Sequence, residues 1–127
     1  MRNLLLVGTG GFLGSVSRYY LSGLVLHASG APRFPLATLV VNVTGCLTIG
    51  ILAGLAEHAH VLSPSTRLFL LTVFLGGYTT FSAFAYETYF LGREHAWASA
   101  AANVAGQVVL GLLAVVLGHR LAALVSS

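Results

Sequence analysis

The chain has 127 residues, of which 57% are hydrophobic and only 7% are charged. Soluble domains carry about 25% charged residues, so this composition excludes a water-soluble domain and indicates that most of the surface faces lipid. The six basic residues are arginines scattered singly along the chain. This excludes a nucleic-acid-binding protein, because such proteins cluster their positive charge on one face.

The hydrophobic residues fall into four segments, each long enough to span a membrane, for which an α-helix needs about 20 residues. The expected helices cover about 4–26, 35–56, 67–91 and 97–117, separated by short polar loops. We therefore expect a single all-α, multi-pass integral membrane domain over residues 1–127. His58 and His60 share the second loop without a third ligand at a usual spacing, so solvated loop residues are favoured over a metal site.

The arginines are distributed evenly between the two expected sides of the membrane. Arg2, Arg67 and Arg120 lie with the amino terminus, the second loop and the carboxyl terminus, which share one side. Arg18, Arg33 and Arg93 lie with the first and third loops and the adjoining helix ends, on the other side. Orientation normally follows an excess of Lys and Arg on the cytoplasmic side. The absence of a bias favours insertion in both orientations and an antiparallel pair, although other features can fix one orientation in a small protein.

The third segment has an unusual centre, Gly76-Gly77-Tyr78-Thr79-Thr80-Phe81-Ser82. Two glycines followed by two β-branched threonines are poor helix formers. One interpretation is a continuous helix whose glycines allow close packing. The other is a break in mid-membrane, which frees carbonyl groups for a cation and creates a helix amino end that favours an anion. Composition leaves these two interpretations about even.

Polar and aromatic side chains recur at helical spacing in the last three segments. The second helix carries Thr38 and Asn42, and the third carries Phe81, Phe84 and Thr88. The fourth has a stripe of hydrogen-bonding residues, Ser99, Asn103 and Gln107. Packing and interhelical hydrogen bonds account for any one of them. Together they also suit a polar pathway, because the edges of phenylalanine rings are electropositive and can face an anion.

Three long motifs resemble those of the bacterial fluoride channels of the Fluc (CrcB) family. They are Gly10-Gly-Phe-Leu-Gly-Ser-Val-Ser-Arg-Tyr19, Pro35-Leu-Ala-Thr-Leu-Val-Val-Asn-Val-Thr-Gly45 and Gly76-Gly-Tyr-Thr-Thr-Phe-Ser-Ala-Phe-Ala-Tyr-Glu87. The resemblance covers nearly the whole chain in the right order. It implies four transmembrane helices with the third one broken, an antiparallel dual-topology homodimer with two pores, and passive export of fluoride across the inner (plasma) membrane.

The resemblance also implies roles for individual residues. The pore would be lined by Phe81, Phe84, Asn42, Thr80, Ser82, Asn103 and Gln107. A structural sodium ion at the dimer axis would be held by the backbone carbonyls of Gly76 and Thr79. Arg18 and Glu87 would lie at a vestibule or the membrane boundary. This chain departs from the family pattern in having amides at Asn103 and Gln107 and an alanine at Ala83.

Other classes of protein fit the sequence less well. A proton-coupled exporter needs a carboxylate deep in the first helix, which has none; Glu87 is the one candidate within a span. A non-conducting membrane subunit remains open and predicts that Phe81 and Phe84 matter for assembly alone. The glycine-rich Gly8-Thr-Gly-Gly-Phe-Leu-Gly14 imitates a dinucleotide-binding loop, but it lies in a membrane segment, so an enzyme is not expected.

Overall fold

In the computed structural model, residues 1–30, 33–58 and 64–125 are described here; the predicted turn at Pro32 and the loop with His60 lie outside these ranges. The described residues form helices and turns and no strand. Helix α1 covers Arg2–Ser29 and α2 covers Leu36–His58. The last helix, α6, covers Trp97–Val125 and so continues past the end expected near residue 117.

The third hydrophobic segment is built from several short helical pieces. It begins with α3 (Pro64–Arg67), continues as a π-helix (Leu68–Phe74) and ends its first half with α4 (Leu75–Tyr78). The chain is then extended at Thr79 and Thr80, and α5 (Phe81–Arg93) forms the second half. The segment is therefore broken at the two threonines, whereas Gly76 and Gly77 are helical.

Three helical stretches among the described residues are long and apolar enough to cross a membrane. They are Leu36–Glu57, Ser65–Arg93 and Trp97–Val125. Helix α1 has 28 residues, which is enough length for a span, but it is not among the three. Its sequence includes Thr9, Ser15, Ser17 and Arg18, which lower its hydropathy.

Helices α2 and α6 pack against each other through small residues and run in the same direction. A Cβ atom added at Gly50 would overlap the carbonyl oxygen of Val115, and one added at Gly54 would lie 2.7 Å from the Ala122 Cβ. At the far end, Glu57 Oε2 and His119 Nε2 lie 3.0 Å apart. Small residues allow this close backbone approach, which is the usual way in which membrane helices gain packing contacts.

Helix α1 packs against the first half of the third segment, also in parallel. A Cβ atom at Gly10 would lie 2.9 Å from the Phe69 ring, and one at Gly14 would overlap the Phe74 carbonyl oxygen. One turn further on, Arg18 reaches the break. The short turn after α5 returns the chain into α6, where the Ala96 N–H donates to the Leu91 carbonyl over 2.9 Å.

Candidate functional site

The break in the third segment is held by a side chain from α2. The Thr80 N–H donates to Asn42 Oδ1 over 2.9 Å, and Asn42 Nδ2 donates to the Thr80 carbonyl over 3.2 Å. Thr80 also caps α5, because its Oγ1 accepts the Ala83 N–H over 3.2 Å. Extended backbone at membrane depth requires such partners. Here both backbone groups of Thr80 have one.

A pocket of about 420 Å³ lies beside the break. Seven of the residues implied by the family resemblance line it: Asn42, Gly76, Thr79, Thr80, Phe81, Phe84 and Gln107. Six further lining residues are Gly45, Cys46, Ile49, Leu71, Leu75 and Val108. Most of these six are apolar residues within helices, and their sequence gives no sign that they face a shared pocket. Gly45 is the exception, because it follows Thr38 and Asn42 along the same side of α2.

The two phenylalanines at the start of α5 are in contact with each other. Their ring centroids are 5.4 Å apart and the ring planes are inclined by 65°, an edge-to-face arrangement. The Phe81 side chain is 78% exposed in the single chain, whereas Phe84 is half-buried. An exposed aromatic ring beside this pocket presents an electropositive edge. The position of Phe81 therefore leaves it open to an anion or to a second protein chain.

A second group of polar contacts lies further along α5. Thr38, 8% exposed, donates to Glu87 Oε1 over 2.6 Å. Asn103 is completely buried and donates to Thr88 Oγ1 over 2.9 Å. In α6 the next polar residue, Gln107, accepts a hydrogen bond at Oε1 from Asn42 Nδ2 over 3.0 Å. These bonds connect α2 with α5, α5 with α6 and α2 with α6, and we refer to their six residues as the polar row.

Three buried polar atoms of this row have no hydrogen-bond partner among the described residues: Glu87 Oε2, Asn103 Oδ1 and Gln107 Nε2. Buried polar atoms are nearly always paired, with protein groups or with ordered water. An unpaired one costs free energy comparable to a lost hydrogen bond. These three atoms therefore remain available for hydrogen bonds to groups other than the described residues.

The remaining predicted residues lie next to the break without lining the pocket. Ser82 Oγ is 3.3 Å from Thr80 Oγ1. Arg18 Nη1 lies 3.4 Å from the Thr79 carbonyl oxygen, a contact that the sequence did not indicate because the two residues are 61 positions apart. Thr44 and Tyr78 share a hydrogen bond of 2.8 Å, which connects α2 directly with α4.

A broken membrane span, a polar row connecting three helices and an aromatic pocket define a multi-pass helical membrane protein of the transport or channel class. The family model described as "CrcB-like protein, Camphor Resistance (CrcB)" matches residues 5–119. The chain therefore belongs to the CrcB family.

Similar proteins are known from several bacteria. One from Methylobacillus flagellatus is 49% identical over 121 residues, which are 95% of this chain and 94% of the relative. One from Rhizobium meliloti is 48% identical over 121 residues, 95% of this chain and 96% of the relative. One from Nitratidesulfovibrio vulgaris (Miyazaki F) is 43% identical over 118 residues, 93% and 94% of the two chains. All three are named "Fluoride-specific ion channel FluC".

Proposed function

We propose that this protein is a passive, fluoride-selective ion channel that exports fluoride and so lowers its concentration in the cell. The observation that best supports this proposal is the pocket beside the break, which is lined by Phe81, Phe84 and Gln107. Relatives that are up to 49% identical bear the name of a fluoride channel. A channel transports its ion unchanged, so no catalytic residue is proposed.

The chemistry of the pocket suits fluoride, which is small and holds its water tightly. A pore has to replace that water with hydrogen-bond donors, yet bind weakly enough for the ion to leave. Amides, hydroxyls and ring edges offer partial positive charges that meet both needs. We propose Phe81, Phe84, Thr80, Ser82 and Gln107 as pore residues, with Asn42 and Asn103 in the same polar row.

We propose that the functional unit is a homodimer of two antiparallel copies in the inner (plasma) membrane, with α1 as a fourth span. Phe81 is 78% exposed in the single chain, and the space next to the Gly76 Cα is open. A second copy would cover both and complete the pore walls. The even distribution of arginines supports insertion in both orientations.

We propose further that a sodium ion stabilises this dimer at the break. Carbonyl oxygens suit a hard cation, and Gly76 and Thr79 both line the pocket at the end of α4. A single chain would supply two carbonyl groups, so the second copy would have to supply the others.

The deciding experiment is fluoride efflux from liposomes that contain the purified protein, with chloride as the control anion. Fast fluoride release without chloride release, needing no proton gradient, is expected. Phe81→Ile should lower the flux by a factor of about 2 to 10 if a ring edge stabilises the ion as strongly as it stabilises another ring. Phe12→Ile, at an exposed position of α1, is the matched control and should conduct normally.

No fluoride movement from folded, inserted protein would refute the proposal. Flux that follows an imposed proton gradient would favour a coupled exporter instead. Normal fluoride flux in Phe81→Ile would leave the channel in place and remove this ring from the pore.

A further inference from the structure

A second open pocket, of about 530 Å³, lies between the end of α5 and the start of α6. Three of its lining residues are small: Ala85, Gly92 and Ala100. Two others, Tyr89 and Trp97, are aromatic and are 62% and 66% exposed. The Trp97 ring packs on the backbone of α5, because a Cβ atom added at Gly92 would lie 3.3 Å from Trp97 Cζ3. We refer to this space as the hairpin pocket.

The hairpin pocket is lined by a single charged side chain, Arg93. Arg93 is exposed, and within residues 1–30, 33–58 and 64–125 it forms no ion pair and no hydrogen bond through its side chain. The carboxylate next to it in the sequence, Glu94, does not line the pocket. The pocket therefore carries a positive charge that no protein group neutralises, and this charge is complementary to an anion.

The depth of Arg93 in the membrane follows from the break. The third span covers Ser65–Arg93, and the extended residues Thr79 and Thr80 lie at its middle. Helix α5 has 13 residues, so at 1.5 Å per residue Arg93 lies about 20 Å from the break along the helix. The hydrocarbon core extends only about 15 Å to each side of its centre. Arg93 is therefore at the level of the lipid head groups, where tyrosine and tryptophan are also enriched.

We infer that the hairpin pocket binds an anionic phospholipid, with the lipid phosphate at the Arg93 guanidinium and an acyl chain along the small residues of α5 and α6. Basic pockets between membrane helices bind lipid head groups of this class, and a guanidinium matches phosphate oxygens with two parallel N–H groups. The Tyr89 hydroxyl and the Trp97 indole N–H are further donors at the same depth. A zwitterionic lipid fits less well, because it brings its own cation to a positive pocket.

A second copy of the chain is the alternative occupant of this apolar corner, and its charge is less suitable. In an antiparallel pair, the membrane side that holds Arg93 also receives the amino terminus, second loop and carboxyl terminus of the other copy. These segments carry three further arginines. They add positive charge near Arg93, whereas a phosphate group neutralises it. The lipid site itself does not depend on fluoride conduction.

The test uses Trp97, which is the single tryptophan of the chain, so that its fluorescence reports on this pocket alone. The full chain is placed in vesicles of phosphatidylglycerol and phosphatidylcholine, and either lipid in turn carries brominated acyl chains, which quench tryptophan. The two quenching curves give the preference of the pocket for phosphatidylglycerol. We expect a preference of about fivefold, as for one arginine near an anionic membrane surface.

Three variants identify the group responsible for the preference. Arg93→Gln should bind both lipids about equally, and Arg93→Lys should retain most of the preference because it keeps the charge. Arg120→Gln is the matched control, since it removes the same charge at another exposed position of α6, and it should leave the preference unchanged. Inorganic phosphate in the buffer should not relieve the quenching by brominated phosphatidylglycerol.

Several results would overturn the inference. Equal quenching by the two lipids in the wild type would remove the site, and equal losses in Arg93→Gln and Arg120→Gln would show a general attraction between charges. Little quenching by either lipid would show that a second copy covers the corner. Relief by inorganic phosphate would identify free phosphate as the ligand. None of these measurements uses fluoride, so failure of the lipid site is distinguishable from failure of the channel function.

Discussion

Close packing of α2 on α6 predicts a large difference between two glycine substitutions. Gly50 is buried, and a Cβ atom there would overlap the Val115 carbonyl oxygen and lie 3.0 Å from the Val115 Cα. These are backbone atoms of a helix, so they cannot rotate away as a side chain would. In α1, Gly23 is exposed, and a Cβ atom there would meet nothing within 4 Å.

The expected magnitude follows from two opposing terms. Replacing a glycine inside a helix by alanine stabilises the helix by about 0.5–1 kcal/mol, and this gain applies to both positions. Forcing a methyl group into a closely packed contact costs about 1–3 kcal/mol, and this cost applies to Gly50 alone. Gly23→Ala should therefore be slightly more stable than the wild type, and Gly50→Ala should be less stable than Gly23→Ala by about 1–3 kcal/mol.

The free energies of unfolding can be compared by reversible denaturation in mixed detergent micelles, followed by circular dichroism. Both variants carry the same substitution, so the change in helix propensity is the same in each. The difference between their free energies of unfolding therefore reports on the contact between α2 and α6. Equal stability of Gly50→Ala and Gly23→Ala would show that α2 and α6 are further apart than described, and the reasoning from backbone contacts would be refuted.

Two further substitutions test the polar groups of the site. Thr80→Val removes the hydroxyl that accepts the Ala83 N–H. It should lower the free energy of unfolding by about 1 kcal/mol, as loss of other helix caps does. Thr80→Ser keeps the hydroxyl and should not lower it, so equal effects of the two substitutions would show that the cap is unimportant. Asn103→Leu removes a buried amide with one unpaired oxygen. The free energy of unfolding should therefore be unchanged or raised, while the fluoride flux falls. A large loss of stability would show that the Asn103 amide is fully paired in the membrane.

The sequence predicts the helices well and their internal irregularities poorly. Long, predominantly apolar segments indicate α2 and α6 directly, because a membrane helix needs little else. The π-helical stretch Leu68–Phe74 has no such signal, because all but one of its residues are apolar. It contacts α1, where Gly10 lies against Phe69 and Val73, so the irregular helix is associated with a partner far away in the sequence.

Some residues of the candidate site can be predicted from a single motif, whereas the contacts of others depend on distant parts of the chain. Phe81, Phe84 and Thr80 adjoin the break and can be singled out from one motif. The orientation of Gln107 cannot, since it depends on Asn42, 65 positions earlier in the chain. The contact between Arg18 and the Thr79 carbonyl oxygen is equally hidden, because α1 has to pack on α4 before the two groups meet.

The location of the break follows from where the backbone finds partners. Glycine is the weakest helix former apart from proline, which directs attention to Gly76 and Gly77, yet both are helical. A Cβ atom at Gly77 would lie 2.7 Å from the Gly11 carbonyl oxygen, so this glycine serves the approach of α1. The helix ends instead where Asn42 offers Thr80 both an acceptor and a donor. β-Branched threonine suits the extended conformation. In lipid, the chain can leave the helix only where another group forms hydrogen bonds with the freed backbone N–H and carbonyl groups.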